Sequence, residues 1–452
     1  MKQIIGRTLV ATLLVSVWMP SIGAQAQSAP PGNASTLFQD VRIFDGKGSP
    51  LSAPSNVLVK GNVIERISAA AISPEPGTTV IAGGGRTLMP GLIDAHWHAT
   101  MVRSTPPQLL TSGVGYSTLL AGAEATATLM RGFTTVRDMG GPAFDLKRAI
   151  DEGLLPGPRI YPSGAVITVT SGHGDFRQLI DLPRTLGGML SRVEQIGGAM
   201  IADSPDEVRM RVREQLMQGA SQIKLTAGGG VASPFSPLDA STFTEEELRA
   251  AVEAAENWGT YVATHAYTPV SIQRSIAAGV KVIEHAHLMD EASARLMAEK
   301  GIWLSMQPFV DLALVAGMPP QNQARMKQVI TGTDNVYAFV KKYKIKTAWG
   351  TDILFSQALA ERQAQGLVDM TRWFTPAETL VMATSTNAEL LNLTGLRNPY
   401  PGKLGVVEQG AFADLLLVDG NPLENIQLVA DPQKSFLVIM KDGKVYKNTL
   451  AK

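Results

Sequence analysis

Histidines stand at the ends of short apolar runs in this chain, which has six histidines and no cysteine. His96 and His98 lie at the end of segment 91–98, and residues two apart on a strand point to the same face, about 6.6 Å apart. His265 and His285 each close a further run. One such histidine would more often be an ordinary core residue. All of them together favour a divalent-cation site, because a chain without thiolate must hold metal with imidazole, carboxylate or lysine.

Asp352 closes another apolar run, 347–352. A carboxylate in that position costs free energy unless it is paired or bound to a cation. Taken alone, it could equally be the N-cap of a helix. Beside a metal it could bind the cation and accept a proton from water.

Lys224 lies inside the run 221–226, and it points inward if its apolar neighbours point outward. An ammonium group aimed at two cations would be repelled by both. One interpretation is a lysine that reaches the rim or pairs with a carboxylate. The other is a neutral amine that has captured CO₂, giving a carbamate whose two oxygens bridge two metals. A desolvated lysine with a lowered pKa could form that adduct.

The elements that must position these residues alternate between strand and helix. Caps with a glutamate three residues later predict helix starts at Ser204, Thr244 and Thr375. Strand-to-helix units, eight in roughly 300 residues, predict an α/β fold, a (β/α)₈ TIM barrel with its catalytic groups at the carboxyl ends of the strands. A doubly wound sheet is the alternative, but no glycine-rich phosphate loop follows the first strand. The predicted strands are 91–98, 134–139, 159–163, 222–226, 261–265, 280–285, 303–307 and 347–352.

Both chain ends are rich in short β-prone runs broken by Gly, Pro and Asn. Two such ends flanking one long middle predict a small composite β-sandwich domain. We therefore expect the metal-binding barrel at 89–395, with the sandwich formed by 27–88 and 396–452.

The first residues have the pattern of a secretory signal peptide at 1–26. Lys2 and Arg7 precede the apolar stretch 8–19, and small residues follow at 24–26. A retained membrane anchor is the weaker alternative, because the apolar stretch is short for a bilayer. We expect an exported protein, periplasmic or secreted, with no membrane span after cleavage. The 40 acidic and 40 basic residues give no net charge, which argues against a nucleic-acid partner.

These residues, in this order and at these strand ends, resemble the amidohydrolase superfamily across nearly the whole mature chain. The resemblance implies two divalent metal ions, expected to be Zn²⁺. It gives the more buried ion to His96 and His98 and the more exposed ion to His265 and His285. Lys224, as N6-carboxylysine, would bridge the two ions. Asp352 would contact the first ion and act as general base and acid.

Further stretches are similar to the imidazolonepropionase-like and prolidase-like branch, which includes carboxypeptidase-type and ochratoxin-degrading amidohydrolases. The stretches are 136–141, 170–175, 265–267 and 284–287. The resemblance implies that His173 polarises the scissile carbonyl and that Tyr267 helps to hold the substrate carboxylate. His287 would face the substrate or support a ligand. Ordinary loop hydrogen bonding is the alternative for all three. Relatives in this branch imply a homo-oligomer, such as an octamer.

The expected reaction is cleavage of the amide between an acyl group and a C-terminal amino acid in a small dipeptide-like substrate. Ochratoxin A, split into ochratoxin α and phenylalanine, is one such substrate. The apolar stretches 179–203 and 231–237 favour a bulky uncharged acyl group, and the first could instead be a lid or an oligomer contact. Alternatives are an Xaa-Pro or Xaa-Arg/Lys dipeptidase, a cyclic-amide hydrolase of the imidazolone type, and a scaffold without activity. The complete ligand set argues against the last.

Overall fold

The protein was analysed as a computed structural model that describes residues 35–182, 188–311 and 318–450, so the predicted signal peptide lies outside the described residues. The strands are β1 Ser35–Ile43, β2 Ser55–Lys60, β3 Val63–Ser68, β4 Thr79–Ala82, β5 Thr87–Pro90, β6 Leu92–Trp97, β7 Phe133–Asp138, β8 Arg159–Pro162, β9 Val166–Thr168, β10 Ala199–Ile201, β11 Ile223–Thr226, β12 Val262–Ala266, β13 Val282–His285, β14 Trp303–Met306, β15 Thr347–Trp349, β16 Leu415–Val418, β17 Phe436–Lys441 and β18 Lys444–Asn448.

The α-helices connect and cover these strands. They are α1 Pro106–Thr111, α2 Val114–Met130, α3 Phe144–Asp151, α4 Arg192–Gln195, α5 Pro205–Gln218, α6 Glu245–Glu256, α7 Pro269–Ala277, α8 Glu291–Lys300, α9 Pro320–Tyr343, α10 Gln357–Ala360, α11 Gln365–Asp369, α12 Pro376–Val381, α13 Asn387–Leu391, α14 Gln427–Ala430 and α15 Pro432–Ser435. A π-helical turn spans Met382–Thr386, and 3₁₀ turns span Leu179–Asp181, Met370–Arg372 and Asn392–Arg397. In the part of the chain that the structure describes, no helix combines the length and apolar character needed to cross a bilayer.

Three of these helices begin at the predicted caps. The hydroxyl groups of Ser204, Thr244 and Thr375 each accept a hydrogen bond from the backbone N–H three residues later. In α6 and α12 the glutamate completes the capping box. In α5 it does not, because Glu207 accepts instead from the backbone N–H of Asp203 at 2.7 Å. The predicted start is confirmed there, and the predicted capping box is replaced by this neighbouring bond.

Strands from the two chain ends form one eight-stranded sheet in the order β18-β17-β16-β5-β1-β2-β3, with β4 beside β1. The junction is the antiparallel pair of β5 with β16, which joins the first and last parts of the chain. One face of this sheet has its own apolar core, in which Phe38, Val57, Leu88, Leu415 and Val438 are fully buried. The terminal β-rich runs therefore pair with each other, as their composition indicates.

The middle of the chain forms two parallel sheets. One has the order β6-β7-β8, and the other has the order β10-β9-β11-β12-β13-β14-β15. The α/β class and the parallel pairing agree with the prediction. The short strands β9 and β10 were not predicted, and they pair beside β11 at the edge of the larger sheet.

Side chains and single backbone hydrogen bonds, rather than a strand ladder, join the two parallel sheets. The Asn387 amide donates to the carbonyls of Ile93 in β6 and Trp349 in β15, at 2.7 and 2.8 Å. Just before β11, the Gln222 amide donates to the carbonyl of Tyr161 in β8 at 2.9 Å. Buried backbone carbonyls must accept hydrogen bonds, and these two side-chain amides supply them where no strand pairing does. Among the described residues the two sheets are thus joined near β6 and β15 and near β8 and β11, without one continuous ladder.

Candidate active site

His96 and His98 lie at the carboxyl end of β6, with their ring centroids 5.3 Å apart. One oxygen of Asp352 lies 3.3 Å from His96 Nε2 and 3.2 Å from His98 Nε2. The backbone N–H of Asp352 also donates to the carbonyl of His96 at 2.8 Å. The aspartate is thus held beside both imidazoles by its backbone as well as by its side chain.

Asp352 does not end a strand, contrary to the predicted strand 347–352, because β15 ends at Trp349. Gly350 packs so closely on β6 that an added Cβ would lie 2.6 Å from the backbone nitrogen of His96. Beyond it, Asp352 adopts a left-handed conformation with φ of 53°. Such values are uncommon outside glycine and recur at functional sites. The close approach to β6 is the physical reason that the strand stops early.

His265 lies in β12 and His285 ends β13, with their ring centroids 4.4 Å apart. The His285 ring is 4.9 Å from that of His96. His285 also has a positive φ, 78°. Donor atoms of His96, His285 and Asp352 all lie within 4.8 Å of one another, close enough to share one cation. His98 contacts this group of three residues through Asp352, and His265 contacts it through His285.

Each of the four histidines has one ring nitrogen on an oxygen that lies outside the set of candidate ligands, and carbonyl and carboxylate oxygens can only accept. In a neutral ring those nitrogens carry the protons. The opposite nitrogens, which for His96 and His98 face Asp352, then keep lone pairs for a metal ion. Fixed tautomers of this kind are characteristic of metal-binding histidines. The donations are His96 Nδ1 to Glu284 at 2.7 Å, His98 Nδ1 to the Gly140 carbonyl at 3.1 Å, His265 Nε2 to the Gly229 carbonyl at 2.9 Å and His285 Nδ1 to Gln307 Oε1 at 2.7 Å.

Burial keeps three of these imidazoles neutral. Desolvation holds the pKa values of His96, His265 and His285 well below the usual value, and the neighbouring Lys224 lowers them further. Burial opposes ionisation of Asp352, but its contacts with His96 and His98 and the charge of Lys224 outweigh it and hold its pKa below the usual range. Neutral imidazoles and an ionised carboxylate are the protonation states that bind a divalent cation. The donor set present therefore fits a metal site.

Lys224 points into this cluster, as its inward parity predicts. It is 3% exposed, and its Nζ lies 3.4 Å from His96 Nε2. Its neighbours Ile223 and Leu225 pack in the main apolar core instead. Burial lowers the pKa of Lys224 to about 8, although Glu284 and Asp352 act in the opposite direction. A lysine at this pKa has an appreciable neutral fraction near neutral pH, which is the form that reacts with CO₂.

Two buried carboxylates, to which the sequence interpretation gave no role, organise the ligands. Glu284 receives hydrogen bonds from His96 and, at 2.5 Å, from the Arg137 guanidinium, and both charged groups are fully buried. Asp94 accepts from the backbone and hydroxyl of Thr351 at 3.1 and 2.7 Å. The sequence could have indicated Asp94, because it lies two residues before His96 on the same strand and therefore points to the same face. Nothing in the sequence pattern indicated Glu284 as the acceptor for a histidine on another strand.

His173 lies in the loop after β9, and its ring centroid is 4.3 Å from that of His265. Burial lowers the pKa of His173 to about 4. Its Nδ1 contacts the Ser233 hydroxyl at 2.9 Å. The structure thus brings His173 beside the His265 end of the cluster, and sequence reasoning did not foresee Ser233 as its partner.

Tyr267 and His287 lie beside His265 and His285. The Tyr267 ring is 4.8 Å from His265 and 5.3 Å from His285. The His287 ring is 6.4 Å from His285 and stacks on Phe309. His287 Nε2 donates to the Gln307 carbonyl at 3.0 Å, and its buried Nδ1 has no partner among the described residues. His287 therefore borders the cluster without joining it.

A cavity of about 290 Å³ opens beside Asp352. Apolar atoms form most of its wall surface, which also carries the charged side chains of Asp311, Arg362 and Asp369. None of the described residues of 179–203 or 231–237 lines it, contrary to the apolar walls expected there. Leu179, Ile180 and Met189 are instead exposed by 69, 89 and 92%, and Leu186 lies outside the described residues. The apolar lining is Pro308, Phe309, Ile353, Leu354 and Leu359.

Comparison with known proteins places this geometry in context. The model of the Amidohydrolase family matches residues 87–447. Ochratoxinase of Aspergillus niger is 30% identical over 426 residues, covering 91% of this chain and 86% of that protein. Imidazolonepropionase of Deinococcus radiodurans is 27% identical, covering 80% of this chain and 85% of that protein. Among solved structures, a prolidase complexed with N-methylphosphonate-L-proline is 33% identical with a TM-score of 0.84, covering 92% of this chain and 100% of that one.

Proposed function

The chain belongs to the amidohydrolase family and is a hydrolase of carbon–nitrogen bonds, and we propose that it cleaves the amide joining an acyl group to a C-terminal amino acid. The observation that carries this proposal is the convergence of four histidines, three of them held neutral by burial, with an ionised aspartate and a desolvated lysine at one end of the parallel strands. Barrel enzymes place their catalytic groups at that end. The two parallel sheets are proposed to act together as a (β/α)₈ barrel at 89–395, with 27–88 and 396–452 forming the β-sandwich.

Two divalent ions would be held by these residues. His96, His98 and Asp352 would hold one, and His265 with His285 would hold the other. Lys224 would join them after its neutral amine adds to CO₂, forming an N–C bond and releasing one proton. The resulting N6-carboxylysine replaces a positive charge between the ions with two carboxylate oxygens. Zinc is the proposed metal, by family resemblance, and it would supply Lewis acidity toward the water and the scissile carbonyl.

Asp352 is the proposed proton carrier. Its carboxylate is ionised and lies within about 3 Å of two ligands, so it can accept a proton from the attacking water. The same carboxyl group would then donate that proton to the nitrogen of the leaving amino acid. His173 would donate a hydrogen bond to the scissile carbonyl, from the side of His265. These roles divide proton transfer and carbonyl polarisation between opposite sides of the cluster.

The substrate class rests on the surroundings of this cluster. Tyr267 is proposed to hold the free carboxylate of the leaving amino acid, with His287 nearby. The acyl group would occupy the cavity beside Asp352, whose wall contains Phe309, Ile353 and Leu359.

Similarity to ochratoxinase supports an aromatic acyl group, so ochratoxin A is a proposed substrate. Similarity to a prolidase supports the second candidate, hydrolysis of Xaa-Pro dipeptides. Hydrolysis of Xaa-Arg/Lys dipeptides is proposed beside it by resemblance to the family branch alone. A cyclic-amide hydrolase is the third candidate, supported by similarity to imidazolonepropionase.

The test compares N-acyl amino acids with their methyl esters. The free acid should be cleaved much faster, because a site built for a carboxylate leaves its polar groups unpaired beside an ester. Tyr267→Phe should reduce that preference while metal content stays unchanged. Equal rates for acid and ester would contradict the proposed orientation. Faster hydrolysis of imidazolone rings than of any acyl amino acid would favour the cyclic-amide alternative.

Export and assembly are separate proposals. The segment 1–26 would direct the chain out of the cytoplasm and be removed, leaving a periplasmic or secreted enzyme. A homo-oligomer, such as an octamer, is proposed by resemblance to the family branch. The exposed apolar side chains of Leu179, Ile180 and Met189 suit either a lid or a subunit contact. N-terminal sequencing and light scattering of the purified protein test the two proposals independently.

A further inference from the structure

We propose that Ser233 fixes His173 as the tautomer with its proton on Nε2, and so provides the N–H donor for the reacting carbonyl. Ser233 is thus a positioning residue, because it would act only through His173. The inference rests on the proposed function for the role of that donor. The tautomer itself is a property of the protein that can be measured without any substrate.

The hydrogen bonds of the Ser233 hydroxyl determine the tautomer of His173. Ser233 is fully buried, and its Oγ accepts from the backbone N–H of Gly174 at 2.8 Å. Its other contact is His173 Nδ1, at 2.9 Å. If Nδ1 were the donor, the hydroxyl would accept twice, and its own proton would have no acceptor among the described residues. A buried unpaired donor is costly. The arrangement that satisfies every group has Ser233 donating to Nδ1, which places the histidine proton on Nε2.

The ring is also held in place by its surroundings. Gly230 packs against it so closely that an added Cβ would lie 2.1 Å from His173 Nδ1. On the other side, the Thr226 hydroxyl donates to the His173 carbonyl at 2.8 Å. Thr226 and Lys224 lie on the same strand, β11. Backbone and ring are therefore fixed relative to the proposed metal ligands.

Arg325 in α9 anchors the loop that carries Ser233. Its guanidinium donates to the carbonyls of Gly230 and Ser233, at 3.2 and 2.8 Å. Arg325 is 7% exposed, so these charge-assisted bonds are shielded from water. Gly230 and Ser233, which both contact the His173 ring, are thus tied to the same arginine. This restraint would keep the Nε2–H group of His173 oriented toward the carbonyl before the substrate binds.

The first test is solid-state ¹⁵N NMR of zinc-loaded protein labelled at histidine. The chain has only six histidines, and the His173 signals are those lost in His173→Gln. We expect unprotonated Nδ1 and protonated Nε2 in the native protein. Ser233→Ala should give mixed or reversed protonation. A protonated Nδ1 in the native protein, or an unchanged tautomer in Ser233→Ala, would overturn the inference.

The second test is kinetic, and Ser236→Ala is its matched control. Ser236 is a buried serine in the same loop whose hydroxyl has no hydrogen-bond partner among the described residues. Ser233→Ala should lower kcat roughly tenfold, the size of one neutral hydrogen bond, with little change in KM. Ser236→Ala should change neither constant. In a His173→Gln background, Ser233→Ala should have no further effect. An equal loss in that background would show that Ser233 acts elsewhere.

The two tests separate failure of the inference from failure of the proposed function. If no acyl amino acid is hydrolysed, the proposed function fails, while the NMR result still decides the tautomer. If acyl amino acids are hydrolysed and the tautomer is the opposite one, only the role of Ser233 fails.

Discussion

Asp94 and Thr351 are joined by two hydrogen bonds, one to the backbone N–H of Thr351 at 3.1 Å and one to its hydroxyl at 2.7 Å. Thr351 directly precedes Asp352, which adopts its left-handed conformation there. Asp94 also accepts from the backbone N–H of His96 at 3.0 Å. One buried carboxylate on β6 therefore orients the loop of the proposed proton carrier and the start of the histidine pair.

Asp94→Ala should destabilise the protein and reduce catalysis. It leaves the Thr351 and His96 donors buried and unpaired, which we expect to cost about 2–4 kcal/mol of unfolding free energy. Thr351→Val is the matched control, since it removes only the hydroxyl bond and should cost about 1 kcal/mol. Urea unfolding measures the stability of both variants, and kcat reports whether Asp352 has moved. Unchanged stability and kcat in Asp94→Ala would exclude this role.

The buried pair of Arg137 and Glu284 should be sensitive to loss of either partner. Glu284→Ala leaves the Arg137 guanidinium uncompensated in the interior and should cost about 3–5 kcal/mol. The exposed pair of Lys346 and Glu389 is the control, because Glu389→Ala should change stability by less than about 1 kcal/mol. Denaturant midpoints with unchanged slopes provide the comparison. Similar small losses in both variants would mean that Arg137 finds another partner.

The positions of the histidines could be predicted from the sequence, but their supports could not. Strand ends are visible because apolar runs stop, and parallel strands bring their carboxyl ends to one edge. The acceptors Glu284 and Gln307 come from other strands, and pairing across strands leaves no local pattern. The predicted strand end at Asp352 was wrong because Gly350 approaches β6 closely, a tertiary contact. The contacts that Asn387 and Gln222 make between the two parallel sheets were unpredictable for the same reason.

Lys224 should be needed for its ability to form a carbamate, not for its charge. With a pKa of about 8, roughly a tenth of the Lys224 amine is neutral at pH 7 and able to react with CO₂. Lys224→Ala should lose activity, with partial rescue by small carboxylic acids that supply the missing oxygens. Lys224→Arg should be inactive and not rescued, because guanidinium keeps its charge. Density for a free amine in an active, fully metallated enzyme would rule out the bridge.

Narrowing the cavity should change substrate preference rather than chemistry. Leu359→Trp fills part of the space of about 290 Å³ beside Asp352. It should lower kcat/KM for aromatic acyl groups roughly tenfold and leave N-acetyl amino acids within about twofold. Leu119→Trp on α2 is the control, because that leucine is 75% exposed and outside the cavity lining. Equal losses for both substrates would place the acyl group elsewhere.

Metal dependence is the central claim, and reconstitution of chelated protein tests it most directly. Prolonged chelation should abolish hydrolysis of N-acyl amino acids, because water activation then has no Lewis acid. Adding zinc to the stripped protein should restore the rate, with saturation near two ions for each chain, as the two groups of ligands imply. Elemental analysis of the same samples gives the stoichiometry. Full activity in protein without a stoichiometric divalent transition metal would contradict the account.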